Sequence, residues 1–383
     1  MSEEEIWLAE PDVRAAVRDA RRIVVKVGSS SLSAETGGLD EEKLSRLVDA
    51  LADFHDGGRD VVLVTSGAIA AGLKPLGLRR RPRDLAHQQA AAAVGQGVLM
   101  QHYADRFHAR GILAAQLLLT VEDVTRQETY ANALRSLGTL LKMGAVPVVN
   151  ENDAVATHEI RFGDNDRLAA LVAQLVRADA LVLLSDVECL YTAHPDEPDS
   201  EPISHVADVE ELTVDTHRVG SAIGTGGMTT KLQAAQIATA AGIPVVLANA
   251  ARLTDVLGGQ STGTTFSPID RRRPRRLLWL AHASVARGSL HVDQGAVRAL
   301  TERNASLLAA GIRRVEGTFV AGDPVDIITP DGKAIVRGLV SFSSVDLPAM
   351  LGRRSREMAD DLGAGFERAV VHRDVMVALD HSL

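Results

Sequence analysis

The sequence predicts an α/β protein: a layered domain on a largely parallel sheet, followed by a small, mostly β second domain. Three observations predict it. Short apolar runs rich in β-branched residues alternate with helical patterns as far as Phe266, as in a sheet covered by helices on both faces. Each run stops at small hydroxyl, amide or glycine residues. Beyond Phe266 the period changes to short strands set off by Gly-Asp-Pro and Pro-Asp-Gly turns.

A chain of 383 residues has room for about two or three domains, each with its own core. Hydrophobic content of 46% and charged content of 24% are those of ordinary globular proteins. The net charge of -9 gives no global attraction to nucleic acid or anionic membrane. A single cysteine, Cys189, cannot form an internal disulfide and suits a reducing, cytoplasmic setting. The acidic start, Ser2 to Glu5, argues against a signal peptide, and no run is long and apolar enough to span a bilayer. Zinc-type His/Cys spacing is absent.

Taken in order, residues 1–20 form an N-terminal extension with Val13, Val17 and Ala20 at helical spacing. The first domain, 21–268, holds the apolar runs 23–27, 61–64, 113–119, 146–149, 181–184 and 245–247. The spacing predicts helices over 40–54, 168–176 and 232–241, the first with Asp40 as N-cap and Gly57-Gly58 as its stop. A basic, Pro-interrupted run, Arg271 to Arg276, marks a linker over 269–285. The second domain covers 286–371, with strands around Leu290, Val325 and Ile335.

The runs end on Gly28-Ser29, Thr65-Ser66-Gly67, Thr120, Asn150, Ser185-Asp186 and Asn249. Turns favour such residues anyway, which explains any one junction. Six together suit a binding crevice beyond the carboxyl ends of parallel strands. The fourth junction is the richest. Asn150-Glu151-Asn152-Asp153 is followed by Asp164-Asn165-Asp166 at the head of an apolar helix. Asp164 or Asn165 can be read as a helix cap. The whole cluster exceeds what capping needs and suggests a polar pocket that grips a small zwitterion and organises cations.

Lys26 is a charge inside an apolar run, next to Gly28-Ser29-Ser30-Ser31. It can be a solvated lysine on an edge strand, or a lysine aimed at phosphate beside a glycine turn. The segment Gly67 to Gly72 repeats the strand, glycine turn and small-residue helix. A third glycine turn, Gly224 to Lys231, runs directly into an apolar-periodic helix, which weakens its reading as a flexible surface loop. Neither a P-loop nor a Rossmann fingerprint is present. Two lysines, glycine turns and an acidic cluster describe phosphoryl transfer, which is mostly positioning and charge stabilisation.

Val-Val-Lys-Val-Gly-Ser-Ser, Val-Thr-Ser-Gly-Ala-Ile-Ala-Ala-Gly, Asn-Glu-Asn-Asp-Ala-Val-Ala-Thr, Gly-Asp-Asn-Asp and Gly-Thr-Gly-Gly-Met-Thr-Thr-Lys together resemble the glutamate 5-kinases of the amino-acid kinase superfamily. The resemblance runs from about Arg22 to the C-terminus, and the second domain resembles a PUA domain. It implies a three-layer αβα sandwich, ATP-dependent phosphorylation of the side-chain carboxylate of L-glutamate, a role for Mg2+ and the first step of proline synthesis. It also implies proline as feedback inhibitor, a homo-oligomer (dimer or tetramer), and glutamyl-phosphate reductase as a partner. By motif position, Lys26 and Lys231 contact the phosphates and Asp166 holds both. Ser66, Asn150, Asp153 and Asn165 bind glutamate. Lys26, Gly28, Ser185, Asp186, Thr225, Gly226, Gly227, Met228, Thr229, Thr230 and Lys231 bind ATP. No protein ligand for the metal is assigned. Ser185 stands where the family usually has threonine, keeping the hydroxyl. His194 stands where the family usually has aspartate, which leaves that nucleotide-side loop open.

Two rivals remain. One is a superfamily kinase for acetylglutamate, aspartate, carbamate or a nucleoside monophosphate, which the two acid-amide motifs and the second domain disfavour. The other is RNA binding, since PUA domains elsewhere bind RNA. Residues 287–368 carry 11 Lys/Arg against 11 Asp/Glu, without the basic footprint that phosphate binding normally leaves.

Overall fold

The computed structural model describes residues 9–34, 38–120, 123–124, 127–155, 165–194, 196–197, 199–209, 211–212, 227–268, 280, 286–303, 305–353, 366 and 368–379. They belong to two compact units, Met1–Arg272 and Arg273–Leu383.

In the first unit the apolar runs are strands. These are β1 (Arg22–Val27), β2 (Asp60–Val64), β3 (Ala114–Leu119), β4 (Val146–Glu151) and β5 (Ala180–Ser185). After a ribbon of β6 (Leu190–Tyr191) and β7 (Pro202–Ile203) come β8 (His205–Val206), β9 (Val245–Asn249) and β10 (Thr264–Phe266). The eight-stranded sheet has the order β3-β4-β2-β1-β5-β9-β10-β8. From β3 to β9 every pairing is parallel, and β10 then turns back against β9. The carboxyl ends of the six expected strands therefore share one edge.

Helices cover both faces. They are α1 (Glu10–Arg18), α2 (Ser29–Leu32), α3 (Glu41–Asp56), α4 (Ala68–Leu73), α5 (Leu85–Ala109), α6 (Gln127–Lys142), α7 (Asn165–Val176), α8 (Met228–Ala240) and α9 (Leu253–Leu257). Ile23, Val25 and Val27 share one core with Leu44 and Leu51 of α3 and with Tyr103 and Phe107 of α5. Side chains alternate along a strand, so residues 24 and 26 face the opposite layer. There α7 packs against β1, α6 and α8, and its residues 168–176 are buried on every side.

Local signals explain several boundaries. Asp40 accepts from the amides of Glu42 and Lys43 at 3.0 Å, and α3 stops at Gly57 and Gly58, the latter at φ 74°. Of the two candidate caps of α7, Asn165 is corrected: it is the first helical residue, and its side chain bonds elsewhere. Asp164 lies outside the described residues. Helices α5 and α6 were not expected. In α5 small residues point in all directions, so no apolar stripe announces the helix. Those small residues serve contact. A Cβ on Gly95 would stand 1.8 Å from the Ala68 carbonyl oxygen, and one on Gly72 would stand 2.0 Å from that of Ala91. Helices α4 and α5 thus meet backbone to backbone.

The expected N-terminal extension is built into this unit. Val13 and Val17 of α1 are fully buried in the core shared with β1. Buried Arg14 donates to the carbonyls of Gln260 (3.0 Å), Thr262 (2.6 Å) and Gly263 (3.3 Å) and pairs with Glu10 at 2.9 Å.

The second unit is a five-stranded sheet in the order β12-β11-β13-β14-β15 with one α-helix among the described residues. Its elements are β11 (Gly288–Val292), α10 (Gln294–Arg303), β12 (Ile312–Gly317), β13 (Pro324–Ile328), β14 (Ala334–Val340) and β15 (Val371–Ala378). The β13–β14 hairpin turns at Gly332, φ 86°. Strand β15 carries the sheet beyond residue 371, the boundary expected for the domain. It pairs with β14 from a distant stretch of chain, which local pattern does not reveal. The linker lies outside the described residues except Leu280.

Candidate active site

The alternation of β1 turns Lys26 toward α7. Its ammonium lies 2.6 Å from Oδ1 of Asp166, in the first turn of α7. The other oxygen, Oδ2, receives Lys231 Nζ at 3.4 Å and the Thr230 hydroxyl at 2.7 Å, both from the first turn of α8. The whole group is buried: Asp166 is 0% exposed, Lys26 4% and Lys231 7%. Burial pushes the Asp166 carboxyl up, but the charges of Lys26 and Lys231 and the hydrogen bonds of Lys26 and Thr230 outweigh it, leaving a pKa of about 2. One carboxylate thus anchors two ammonium groups, with one positive charge in excess. Two helix N-termini open on the same point, which suits an anion.

Glycine turns keep the approach bare. A Cβ on Gly28 would lie 3.6 Å from the Lys26 ammonium. Gly67 heads α4 in the left-handed region at φ 106°, opposite Ser29. Ser66, just before it, accepts a hydrogen bond from Asn165 Nδ2 at 3.0 Å. Asn165 Oδ1 accepts from the Glu151 amide at 3.2 Å, and Asn150 Oδ1 accepts from the same amide at 2.9 Å. Asn150 Nδ2 donates to Gln96 Oε1 of α5 at 2.7 Å.

Next to this network is a cleft of about 260 Å³ bounded by Ala68, Ala92, Gln96, Gln116, Glu151 and Asp153. Burial raises Asp153 to about 6, partly offset by the charge of Arg81.

A second cleft of about 250 Å³ lies at the ends of β1, β5 and β9, bounded by Val27, Ser31, Lys43, Ser185, Asp186 and Asn249. Ser185 is buried and its hydroxyl donates to Asp186 Oδ1 at 3.2 Å. Asp186 is exposed. Its carbonyl accepts from Asn249 Nδ2 at 3.3 Å, which also reaches Glu188 Oε1 at 2.9 Å. Gly227 precedes α8, Met228 is buried and Thr229 is exposed. Thr225 and Gly226 lie outside the described residues. Among the described residues no group of three or more His, Cys, Asp or Glu side chains could hold a metal ion. No helix among them is long and apolar enough to cross a membrane.

Lys26, Asp166 and Lys231 therefore form one cluster, and Ser66, Asn150 and Asn165 a second. The two touch through the neighbours Asn165 and Asp166. Asp153 borders the adjoining cleft. Sequence reasoning missed Gln96, which sits in a helix without periodicity.

The amino acid kinase family matches the chain over residues 21–249, and the PUA domain matches residues 288–362. The chain is 56% identical over 366 residues to the glutamate 5-kinase of Cutibacterium acnes, covering 96% of this chain and 94% of that protein. It is 57% identical over 369 residues to the glutamate 5-kinase of Streptomyces avermitilis, covering 96% and 98%. The glutamate 5-kinase of Thermobifida fusca is 54% identical over 372 residues, with 96% and 95% covered.

Proposed function

The chain belongs to the amino acid kinase family, within it to the glutamate 5-kinases, and on that premise we propose how its residues carry the reaction. The activity is ATP-dependent phosphorylation of the side-chain carboxylate of L-glutamate, giving L-glutamyl 5-phosphate and ADP, the first step of proline biosynthesis. The observation that carries the residue assignment is the shared Asp166 carboxylate with its two buried lysines.

A carboxylate attacking a phosphoryl group brings two anions together, and their repulsion must be offset. Lys26 comes from the strand side and Lys231 from the helix side, so the transferring group can be contacted from two directions. Asp166 stays ionised and holds both ammonium groups in place, so they need no reorganisation as charge moves. Ser66, Asn150, Asp153 and Asn165 hold the glutamate, with Asp153 receiving its ammonium. Gly28, Ser185, Asp186 and the turn from Thr225 to Lys231 hold the nucleotide. Mg2+, when bound with the nucleotide, would supply further positive charge. We also propose a homo-oligomer, feedback inhibition by proline, delivery of the labile product to glutamyl-phosphate reductase, and a cytoplasmic location.

The test is purified protein with ATP, Mg2+ and glutamate, trapping the acyl phosphate with hydroxylamine. Hydroxamate formed with glutamate is the expected result. Hydroxamate formed only with acetylglutamate or aspartate overturns the substrate assignment.

A further inference from the structure

Three amide side chains, Gln96 of α5, Gln116 of β3 and Asn152 after β4, border the cleft of about 260 Å³ together with the carboxylates of Glu151 and Asp153. No lysine or arginine lines it among the described residues. Gln96 is the amide whose direction the structure fixes. The backbone N–H of Glu151 can only donate, and it donates to Asn150 Oδ1 at 2.9 Å. Asn150 Nδ2 is thereby left as the donor on the other side, and it reaches Gln96 at 2.7 Å. The atom of Gln96 that meets a donor must be its acceptor, Oε1. Asn150 is 0% exposed, so water does not compete for these bonds. Gln96 Nε2, which has no partner among the described residues, keeps both its hydrogens for the cleft.

A cleft walled by two carboxylates attracts ammonium groups. An α-amino acid carries a carboxylate on the same carbon as its ammonium, and those walls repel it unless a donor stands beside them. A neutral amide with two N–H bonds supplies that donor without pairing off Asp153. We propose that Gln96 donates from Nε2 to the α-carboxylate of the amino-acid substrate, next to the ammonium that Asp153 receives. The side-chain carboxylate is left to reach the lysines. Asn150 contributes by holding the Gln96 amide in its donating orientation. This rests on the glutamate kinase reading above. It adds a specificity-determining residue from a helix that carries none of the motifs.

The experiment measures KM and kcat by hydroxamate trapping on the full-length protein, for wild type, Gln96→Glu and Gln96→Met. The substrates are glutamate and isoglutamine, whose α-carboxylate is an amide. Gln96→Glu keeps the size and an oxygen for Asn150, and turns the donor facing the cleft into an anion. Its glutamate KM rises by about 10-fold or more, as for a lost hydrogen bond to a charged group, while its ATP KM stays within about twofold. Isoglutamine loses less, because its amide can donate to the new carboxylate. The preference for glutamate over isoglutamine in kcat/KM therefore falls by about 10-fold or more. Gln96→Met, with neither donor nor charge, changes the preference in the same direction by less, and carries the test if Gln96→Glu does not fold. A glutamate KM within about twofold of wild type in Gln96→Glu overturns the proposal, since Asn150 keeps its partner in that variant. So does an equal loss on both substrates in either variant, which would make Gln96 a support for Asn150 alone. Failure of the wild type to form any glutamyl hydroxamate would instead overturn the underlying kinase reading.

Discussion

Lys26 Nζ lies 2.6 Å from Asp166 Oδ1, joining the end of the central strand β1 to the first turn of α7. Both groups are buried, so the contact fixes where a positive charge can stand at the crevice. Lys26→Met keeps most of the volume and removes the charge. We expect kcat to fall by about 10²-fold or more, with the far-UV circular dichroism of wild type retained, because Asp166 still has Lys231 and Thr230. Turnover near that of wild type would remove Lys26 from the phosphoryl-transfer step.

Asp166 has a folded pKa of about 2 against an ordinary 3.8. A depressed carboxyl contributes stability that is fully present above the unfolded value and is lost as pH falls through the folded one. Acid titration of the melting temperature should therefore show a steeper loss between about pH 4 and pH 2 in wild type than in Asp166→Asn. Parallel acid limbs would mean that the lysines do not hold the carboxylate ionised.

Asp153 behaves in the opposite sense, raised to about 6 mainly by burial. Only the ionised form can receive an ammonium group. The glutamate KM should rise as pH falls below about 6 while kcat changes less, and Asp153→Asn should show a raised KM without that pH limb. A KM profile that is the same in both proteins would place Asp153 outside substrate binding.

Gly95→Ala inserts a methyl group where the Ala68 carbonyl oxygen stands, at 1.8 Å. Helices α4 and α5 must then separate, at a cost of about 1–3 kcal/mol or more. A melting temperature several degrees lower, with reduced activity from displacement of the neighbouring Gln96, is the expected outcome. An unchanged melting temperature would mean that the helix contact is loose.

Much of this architecture is legible in the order of the residues alone. Strands buried on both faces are continuous apolar runs, and all six runs are strands of one sheet with their carboxyl ends together. Lys26 stands out because a charge in such a run needs a partner, and Asp166 is that partner. What escapes notice has no local signal. Helix α5 carries small residues where a stripe would be, because its inward face meets a backbone. Gln96 gains meaning only from Asn150, which reaches the same place from another part of the chain. The short antiparallel strand β10 and the last strand β15 depend on partners remote in sequence.

The family match begins at residue 21, yet α1 lies before it, with Val13 and Val17 in the core and Arg14 tying down three carbonyls at the entrance to β10. A gene fragment trimmed to that match would lose the plug of one core wall and the clamp on the sheet's reversed border, so the expression boundary belongs upstream of Glu10.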